Sequence, residues 1–571
     1  MKPFKNILNI LLAVTLLASC QRNLTKTELP DGGIIQQTQP IEVKQFLTVD
    51  SAALYTSVAD LPGDDTLRSK IIRYYSDNHS TRWLEEDKPN TVFAAFMEQI
   101  ETCGSHGLFA AEYNPAGLRL QVHALYGNKP ADIRTLIALD IKITATFFKF
   151  ARHLRFGRLT SVPEEKNAWL RSPQKDDNAD IELLGMISDP GSMADAILFL
   201  QPVDDQYKKL QSALSYYRSL ESSEAGMTTI PFHEKMLPGN RYAAIPAVRR
   251  KLLLNAPFLE SDSIIRASDS LLFDANLAGA IKEFQRLHGL YSDGVIGEST
   301  LRWLNQSFRE KAELIALNME RIRWQGPRAD HYIRVNIPEF RLWIHEGVQT
   351  TLEMDVIVGA PNTKTPVFED TLESVVLSPT WTVPPSIMKS EVFPRLKKNP
   401  SYYTARKNYV FYRKGVEIDP ATLNWETDLN IHEFRVVQKA GFDNALGLAK
   451  FMMPNHLNIY LHDTPDHSLF SKTFRAFSHG CIRLSDPAAL AEYLLKDEVK
   501  WDRKAIDKAM NSHSPTRVTL KKQYPVYLEY KTVWVDERGQ VNFRNDLYGH
   551  DKRQLRQMTI IPTAAPMLAT R

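Results

Sequence analysis

The chain has 571 residues, of which 43% are hydrophobic, 24% are charged and 10% are aromatic. This composition is ordinary for globular protein and excludes a disordered, collagenous or low-complexity chain, and the length predicts three or four domains. The net charge of +3 leaves no strong electrostatic footprint, so no nucleic-acid partner is predicted. Three cysteines cannot build a disulfide framework or a four-thiolate zinc site.

The first residues have the pattern of a secretory signal peptide. Lys2 and Lys5 precede an uncharged apolar run at 7–17, which is too short to predict a transmembrane span. We therefore predict a signal peptide at 1–19. The polar segment 20–45, which contains proline and glycine, is predicted to be a tether.

The residues at the end of the signal peptide, Leu17-Ala18-Ser19-Cys20, resemble a bacterial lipobox. The resemblance implies cleavage before Cys20 and a lipid on its thiol, which would anchor the protein to a membrane. Gln21, in place of an aspartate, resembles the sorting residue of lipoproteins sent to an outer membrane. The alternative is a plain signal peptide with an incidental cysteine.

Residues 46–260 are predicted to form a helical scaffold domain. Apolar residues recur at helical spacing through 131–156, and Gly157 supplies a stop. Two further helices are predicted at 204–220 and 245–254. Asp140 is expected on a solvated helix face, with a buried arginine partner as the alternative, and Cys103 is expected to be a core or loop thiol.

A compact unit follows at 271–304, where two short helical patterns flank a turn rich in glycine. Phe284-Gln285, Asp293-Gly294 and Ile296-Gly297 reproduce the pattern of the peptidoglycan-binding domain type 1 family. The resemblance implies a module at 261–308 that binds the cell wall. A three-helix module that only braces its neighbour is the alternative.

The hydrophobic period changes near residue 331, where alternation typical of strands begins. We predict a linking helix at 309–330, a β-rich catalytic domain at 331–550 and a tail at 551–571. The whole chain is thus an α+β multidomain protein. An insertion at 385–435, polar and aromatic, is expected to be a lid or a mobile surface loop.

The chemistry is expected near Cys481. A thiol becomes a useful nucleophile when a neighbour lowers its pKa or takes its proton, and histidine is the usual partner. His462, His479 and Cys481 fall within 19 positions. Gly480 allows close backbone approach and leaves N–H groups free to face a reacting carbonyl. This pattern predicts acyl transfer through a thioester.

Two other interpretations stay open on the residues alone. Free cysteine is among the most buried residue types and is often structural. His456 and His467, together with the residues already named, could in principle ligate zinc, although the chain has neither a helical His-x-x-x-His pair nor a CxxC pair here.

His462 followed, after fifteen residues, by Ser478-His479-Gly480-Cys481 resembles the signature of L,D-transpeptidases with a YkuD-type catalytic domain. Shorter sequence segments resemble the same family, among them 379–387, 444–447 and Lys450-Phe451. With the helical region and the binding module, the chain is similar to the large YcbB-type murein L,D-transpeptidases. The insertion resembles the capping subdomain of those enzymes.

This resemblance implies a role for each matching residue. Cys481 is the nucleophile, and His462 is the general base that activates it. His479 orients the loop or shapes the pocket, and Ser478 belongs to the same loop. Backbone N–H groups around Gly480 and Cys481 hold the oxyanion.

Two further positions complete the expected pocket. The Tyr460 hydroxyl is expected to help hold the oxyanion. Arg483 is expected either to meet a substrate carboxylate or to form a salt bridge that supports the nucleophile loop.

The resemblance implies a lipid-anchored envelope enzyme that faces the periplasm, needs no cofactor or metal, and forms 3→3 peptidoglycan cross-links. Its partners are donor and acceptor stem peptides. The alternatives are an L,D-carboxypeptidase, a transferase joining a protein to the wall, a silent wall-binding scaffold and a zinc peptidase.

Overall fold

The computed structural model describes residues 46–127, 132–159, 178–224, 226–255, 269–425 and 430–559. The predicted signal peptide, Cys20 and the tether lie outside the described residues. Among the helices that are described, none is long and apolar enough to cross a membrane.

The amino-terminal region is helical, as predicted. Its elements are β1 (Phe46–Thr48), α1 (Ser51–Ala59), α2 (Asp65–Asn78), β2 (Ser80–Glu85), α3 (Thr91–Glu101), α4 (Pro115–Gly127), α5 (Ile133–Phe156), α6 (Ala179–Met186), α7 (Pro190–Leu200), α8 (Asp205–Ser219) and α9 (Ile245–Asn255). Asp132 begins α5 by accepting the N–H groups of its first turn, and Gly157, at φ +86°, ends it.

The expectation for Asp140 is wrong. This residue of α5 is fully buried, and its carboxylate accepts hydrogen bonds from the Trp83 N–H at 2.7 Å, the Leu84 N–H at 2.9 Å and the Tyr75 hydroxyl at 2.6 Å. Burial raises the pKa of Asp140 to about 6. The carboxylate fastens β2 to α5, because backbone N–H groups of β2, including that of Arg82 at 2.8 Å, and the Tyr75 hydroxyl satisfy its oxygens. Among the described residues, no guanidinium pairs with it.

The next segment contains α10 (Ala275–Leu287), α11 (Glu298–Asn305) and α12 (Phe308–Arg323). Gln285 of α10 is buried, and its hydrogen bonds explain why the motif pairs a glutamine with the glycine-rich turn. Its amide donates to the Val295 carbonyl and accepts from the Gly294 N–H, both at 2.9 Å. The module also packs on the carboxy-terminal hairpin, where the His288 ring lies 5.4 Å from that of Phe543.

Helix α12 joins the scaffold to the catalytic domain. Arg321 donates to the Asp551 carboxylate at 2.6 Å, and Arg323 donates to the Tyr207 hydroxyl on α8 at 2.7 Å. Asp551 lies on a helix, His550–Thr559, where the sequence predicted a tail. The difference arises because the helix packs against α12, a long-range contact that local pattern does not show.

The catalytic domain is built on nine strands. They are β3 (His331–Asn336), β4 (Arg341–Glu346), β5 (Gln349–Gly359), β6 (Phe368–Leu377), β11 (Ala449–Met452), β12 (Leu461–His462), β13 (Ala476–Ser478), β14 (Ile482–Leu484) and β15 (Thr516–Glu529). Their order is β13-β5-β14-β12-β11-β6-β15-β3-β4, and β4 also pairs with β5, so the sheet closes on itself. Further elements are helices Pro487–Leu495 and Arg503–Met510 and a hairpin of Val533–Val535 and Val541–Phe543.

The insertion forms a second, four-stranded sheet. Its strands are β7 (Trp381–Thr382), β8 (Tyr409–Arg413), β9 (Val416–Ile418) and β10 (Phe434–Gln438), in the order β7-β10-β8-β9, and its helical segments are Pro385–Ile387, Met388–Val392, Phe393–Lys398 and Tyr402–Lys407. The subdomain has its own core around Trp425. It begins earlier than predicted, because Trp381 pairs with Gln438.

Candidate active site

The pairing of β12 with β14 decides which side chains share a surface. The strands are parallel, with Leu461 opposite Ile482 and His462 opposite Arg483. Leu461 and Ile482 are fully buried in the domain core. Because side chains alternate along a strand, His462 and Arg483 lie on the opposite face of the sheet.

The same alternation carries Tyr460 and Cys481, each directly before its strand, to this second face. Antiparallel pairing of β11 with β12 adds Lys450, which is opposite His462. The fold therefore brings the two predicted catalytic residues, His462 and Cys481, to one surface from neighbouring strands.

The turn before Cys481 is held by one hydroxyl. Ser478 Oγ donates to the Cys481 carbonyl at 2.6 Å and accepts from the Gly480 N–H at 3.1 Å. Gly480 has φ +114°, a conformation that residues with a side chain rarely adopt. The Gly480 N–H was expected to be free for an oxyanion and is instead used inside the turn. Among the hydrogen bonds of the described residues, none uses the Cys481 N–H.

A second loop supports this turn from the end of β5. Thr363 Oγ1 donates to the Ser478 carbonyl and Thr365 Oγ1 donates to the Gly480 carbonyl, both at 2.8 Å. The Tyr548 hydroxyl accepts from the Thr365 N–H at 3.1 Å. The position of the turn is thus set by hydrogen bonds from residues more than a hundred positions away.

His462 is buried, with 5% of its surface exposed. Its Nδ1 lies 2.5 Å from the Asp463 carbonyl oxygen, which can only accept, so Nδ1 carries the proton and Nε2 keeps a lone pair. Burial, with a smaller contribution from the Arg483 charge, lowers the pKa of His462 to about 3. The ring is therefore neutral at physiological pH and able to accept a proton.

Asp463 fixes this part of the site. Its carboxylate accepts from the Leu448 N–H at 2.8 Å and from the Thr464 N–H at 2.7 Å. Gly447, at φ +58°, packs so closely that a Cβ there would lie 2.4 Å from the Asp463 Cγ. A glycine is therefore required at the end of segment 444–447, because the backbone there closely approaches Asp463, the residue after His462.

The Cys481 thiol is half-buried and in contact with a loop. Its Sγ lies 3.7 Å from the Asn458 carbonyl, and the backbone N–H and the hydroxyl of Tyr460 lie near the sulfur, where they favour its anion. Burial raises the pKa of Cys481, while these two groups and the charges of Lys450 and Arg483 act to lower it. The resting sulfur is a protonated thiol, placed among groups that favour its anion.

Tyr460 connects the thiol to its surroundings. Burial, and then the neighbouring thiolate charge, raise the pKa of its hydroxyl well above the ordinary range. The same hydroxyl interacts with the Trp381 side chain, at the start of the inserted subdomain. Its ring carries the Lys450 ammonium, 3.8 Å from the ring centroid.

His479 and Arg483 have different surroundings. His479 is exposed, and its Nε2 lies 2.8 Å from Oε1 of Glu391 in the inserted subdomain. Arg483 is half-buried, and burial lowers its pKa. Within the described part of the chain, Arg483 has no carboxylate within ion-pair distance, so the salt bridge considered from the sequence is not observed.

The positions of the side chains bear on the zinc interpretation. Across the described ranges, no group of three or more His, Cys, Asp or Glu side chains is arranged to hold a metal ion. Cys103 is buried, and burial raises its pKa to about 12, which agrees with the predicted core thiol.

Sequence reasoning missed several residues of the site. Lys450 and Trp381 stood in the quoted words but were given no role, and Thr365, Asn458 and Asp463 were not singled out. For Asn458 a signal was available, because asparagine tolerates the left-handed conformation, φ +56°, that turns its carbonyl toward the thiol. The others depend on strand pairing.

The comparisons define the class of the domain. Residues 330–509 match the family described as "L,D-transpeptidase catalytic domain" (YkuD), residues 69–214 match "Scaffold domain", and residues 262–304 match "Putative peptidoglycan binding domain". The chain therefore contains an L,D-transpeptidase catalytic domain together with a peptidoglycan-binding module and a helical scaffold.

Among known proteins, the chain is similar to one from Haemophilus influenzae named "Putative L,D-transpeptidase". The two are 36% identical over 239 residues, which cover 42% of this chain and 48% of the relative. The match thus spans about half the length of that relative.

Solved structures give weaker matches. An L,D-transpeptidase from Mycobacterium smegmatis is 14% identical, covering 35% of this chain and 59% of the other, with a TM-score of 0.18. One from Stackebrandtia nassauensis is 12% identical, covering 52% and 97%, with a TM-score of 0.19. Likenesses at this level carry no argument about function.

Proposed function

We propose that this protein is a cysteine L,D-transpeptidase that forms 3→3 cross-links in peptidoglycan. The observation that carries the proposal is the arrangement of Cys481 and His462 on one sheet face. His462 is neutral, holds its proton on Nδ1 and presents a basic Nε2. A thiol on the same sheet face as a neutral imidazole of fixed tautomer is suited to acyl transfer.

In the proposed first half-reaction, the Cys481 sulfur attacks the carbonyl between the third and fourth residues of a donor tetrapeptide. The thiol proton passes to Nε2 of His462 and then to the amine of the departing D-alanine, leaving a thioester. In the second half-reaction an acceptor amine attacks this thioester and loses a proton to His462. The amide forms, the carbon–sulfur bond breaks and the proton returns to sulfur.

The charge that develops on the carbonyl oxygen needs hydrogen-bond donors. Two groups are suited: the Cys481 N–H, which no described residue uses, and the Tyr460 hydroxyl, which already reaches the sulfur. The Gly480 N–H belongs to the turn and is not proposed as a donor. Arg483, a half-buried cation without a carboxylate among the described residues, is proposed to meet a carboxylate of the donor stem.

The inserted subdomain supports cross-linking over hydrolysis. It reaches the site at Tyr460 through Trp381 and at His479 through Glu391. A cover at this position would exclude water, which otherwise competes with the acceptor amine for the thioester. An L,D-carboxypeptidase or a protein-to-wall transferase remains the alternative within the same chemistry.

We further propose an anchored location in the cell envelope. A lipid on Cys20 and a tether of about 25 residues, spanning roughly 25–30 Å, would hold the enzyme near a membrane while the 261–308 module contacts the wall. Such tethering raises the local concentration of enzyme at an immobile substrate. Cys20→Ser should abolish lipidation, which mass spectrometry of the mature protein tests; a lipid on the variant contradicts the anchor.

The activity is tested with purified protein and muropeptides that carry tetrapeptide stems, with products identified by mass. Cross-linked dimers with loss of alanine support the proposal. Shortened monomers alone indicate a carboxypeptidase. Unchanged muropeptides with intact protein indicate a silent scaffold, and retention of activity by Cys481→Ala contradicts the proposed nucleophile.

A further inference from the structure

Lys450 is a cation near the thiol that is not paired with a carboxylate among the described residues. It stands on β11 directly opposite His462 and is half-buried on the face that carries Cys481. In the described ranges, no carboxylate lies within ion-pair distance of its ammonium. Placing a cation in a partly dehydrated position costs free energy unless a negative charge appears nearby.

The side chain is held in one place. The Lys450 ammonium lies 3.8 Å from the centroid of the Tyr460 ring, a cation–π contact. Tyr460 is the residue whose N–H and hydroxyl both reach the sulfur. Lys450 is therefore directed at the group that contacts the thiol, rather than at solvent.

Three residues on this face bear on the charge of the sulfur: Lys450 from β11, Tyr460 directly before β12 and Arg483 from β14. The two cations lower the pKa of the thiol, and the same charges lower the pKa of His462. The cations thus favour a thiolate and oppose an imidazolium, so a proton received by His462 is readily passed on.

We propose that Lys450 is a positioning residue for the thiolate: its ammonium, held on the Tyr460 ring, stabilises the negative charge of the Cys481 sulfur and aligns the Tyr460 hydroxyl with it. The proposal rests on Cys481 being the nucleophile of the proposed function. It requires the positive charge of residue 450, and not only its length.

The test is alkylation of the full chain by iodoacetamide between pH 6 and 10, with the modified Cys481 peptide quantified by mass. A His462→Ala background removes the imidazole, so the thiol titrates alone. In that background Lys450→Met and Lys450→Gln should react about threefold to tenfold more slowly at pH 7.5, because one pKa unit is a tenfold change in thiolate. The difference should vanish at high pH, and Lys450→Arg should keep the parent profile.

Lys521→Met is the matched control, since Lys521 lies on β15 and pairs with Glu498 at 2.9 Å. It should leave the alkylation profile unchanged. Lys450→Gln, which retains hydrogen-bonding capacity, guards against loss of fold in the methionine variant, and circular dichroism verifies that both variants fold.

Two results would overturn the inference: unshifted profiles in both neutral variants, or a Lys450→Arg profile displaced as far as that of Lys450→Met. Failure of the proposed function would look different from failure of this inference. Muropeptide products would be absent, while the alkylation profiles would still depend on Lys450.

Discussion

Nε2 of His479 lies 2.8 Å from Oε1 of Glu391, so the nucleophile turn and the inserted subdomain meet two residues ahead of Cys481. Both side chains are nearly half exposed, and solvent screens such a pair, so it adds little to the free energy of unfolding. Its position nevertheless joins the turn before Cys481 directly to the inserted subdomain.

Breaking the His479–Glu391 contact should change the partitioning of the thioester between water and the acceptor amine more than it changes the stability of the fold. Glu391→Gln is expected to raise the ratio of hydrolysed to cross-linked product, because a looser cover admits water. The unfolding free energy should change by less than about 1 kcal/mol. Glu433→Gln, which disturbs a pair with Arg413 in the same subdomain, is the control. An unchanged ratio would show that the contact has no part in covering the site.

The two histidines should separate in a pH series of carbapenem acylation, a reaction expected to open the β-lactam ring and form a thioester with the proposed nucleophile Cys481. His462→Ala should slow acylation by about 10²–10⁴-fold near neutral pH, with recovery in alkali as the thiol ionises unaided. His479→Ala should show a deficit that alkali does not reverse. The opposite pattern would reverse the assignment of the base.

The wild-type profile on the acid side follows from the pKa of His462, about 3. The imidazole stays neutral throughout pH 5–8, so its protonation should leave no inflection near pH 6.5. Acylation by carbapenem, measured at constant ionic strength, is expected to rise continuously toward the thiol pKa. A distinct inflection at pH 6–7 that disappears in His462→Ala would contradict the buried, neutral ring.

Thr365→Val keeps the size of the side chain but should disturb the turn before Cys481. Thr365 is buried; its hydroxyl donates to the Gly480 carbonyl and accepts from the Gly359 N–H, both at 2.8 Å. Valine leaves both groups unpaired, at about 1–3 kcal/mol each, and acylation should slow together with the loss of stability. Thr351→Val, which removes a longer bond of 3.4 Å to the Ile344 carbonyl, is the control for urea melts and acylation rates. Equal effects would mean that the turn does not depend on Thr365.

Asp551→Ala should destabilise the joint between the domains. Asp551 and Arg321 are both buried, and removing the acid leaves the guanidinium uncompensated. The expected cost is about 3–5 kcal/mol in urea unfolding, whereas Asp65→Ala, at an exposed pair with Arg68, should be nearly neutral. A small effect of Asp551→Ala would show that the last helix is not part of the joint.

Stability should fall in mild acid. Burial lowers the pKa of six histidines. The value is about 4 for His106 and His345, about 3 for His153, His462 and His550, and well below the ordinary value for His288. The unfolded chain therefore binds more protons than the folded one below pH 6.5, and stability decreases as pH falls from 6.5 toward 4. Asp140, with its raised pKa of about 6, acts in the opposite direction.

Thermal melts between pH 8 and 5 test this, and His288→Phe should weaken the pH dependence by removing one such group. A midpoint that is constant or rises below pH 6.5 would contradict the neutral buried rings.

Local pattern was sufficient for much of the fold. The helical period of 131–156 and the alternation beginning at 331 predicted a helix at Ile133–Phe156 and a strand at His331–Asn336. These succeeded because the amphipathic period and the terminal residues of an element lie in consecutive positions. The Ser-His-Gly-Cys turn similarly showed where a reactive thiol was to be expected.

Only the tertiary structure decided the partners. Consecutive residues do not tell that the Asp140 carboxylate meets β2, that the Gly480 N–H is used by Ser478, or that His479 meets Glu391. The place of Lys450 opposite His462 likewise depends on β11 pairing with β12. Each of these contacts depends on which distant segments become neighbours, and the packing of the whole domain sets that. A side chain's charge state and hydrogen bonds therefore follow from the fold and not from its local sequence.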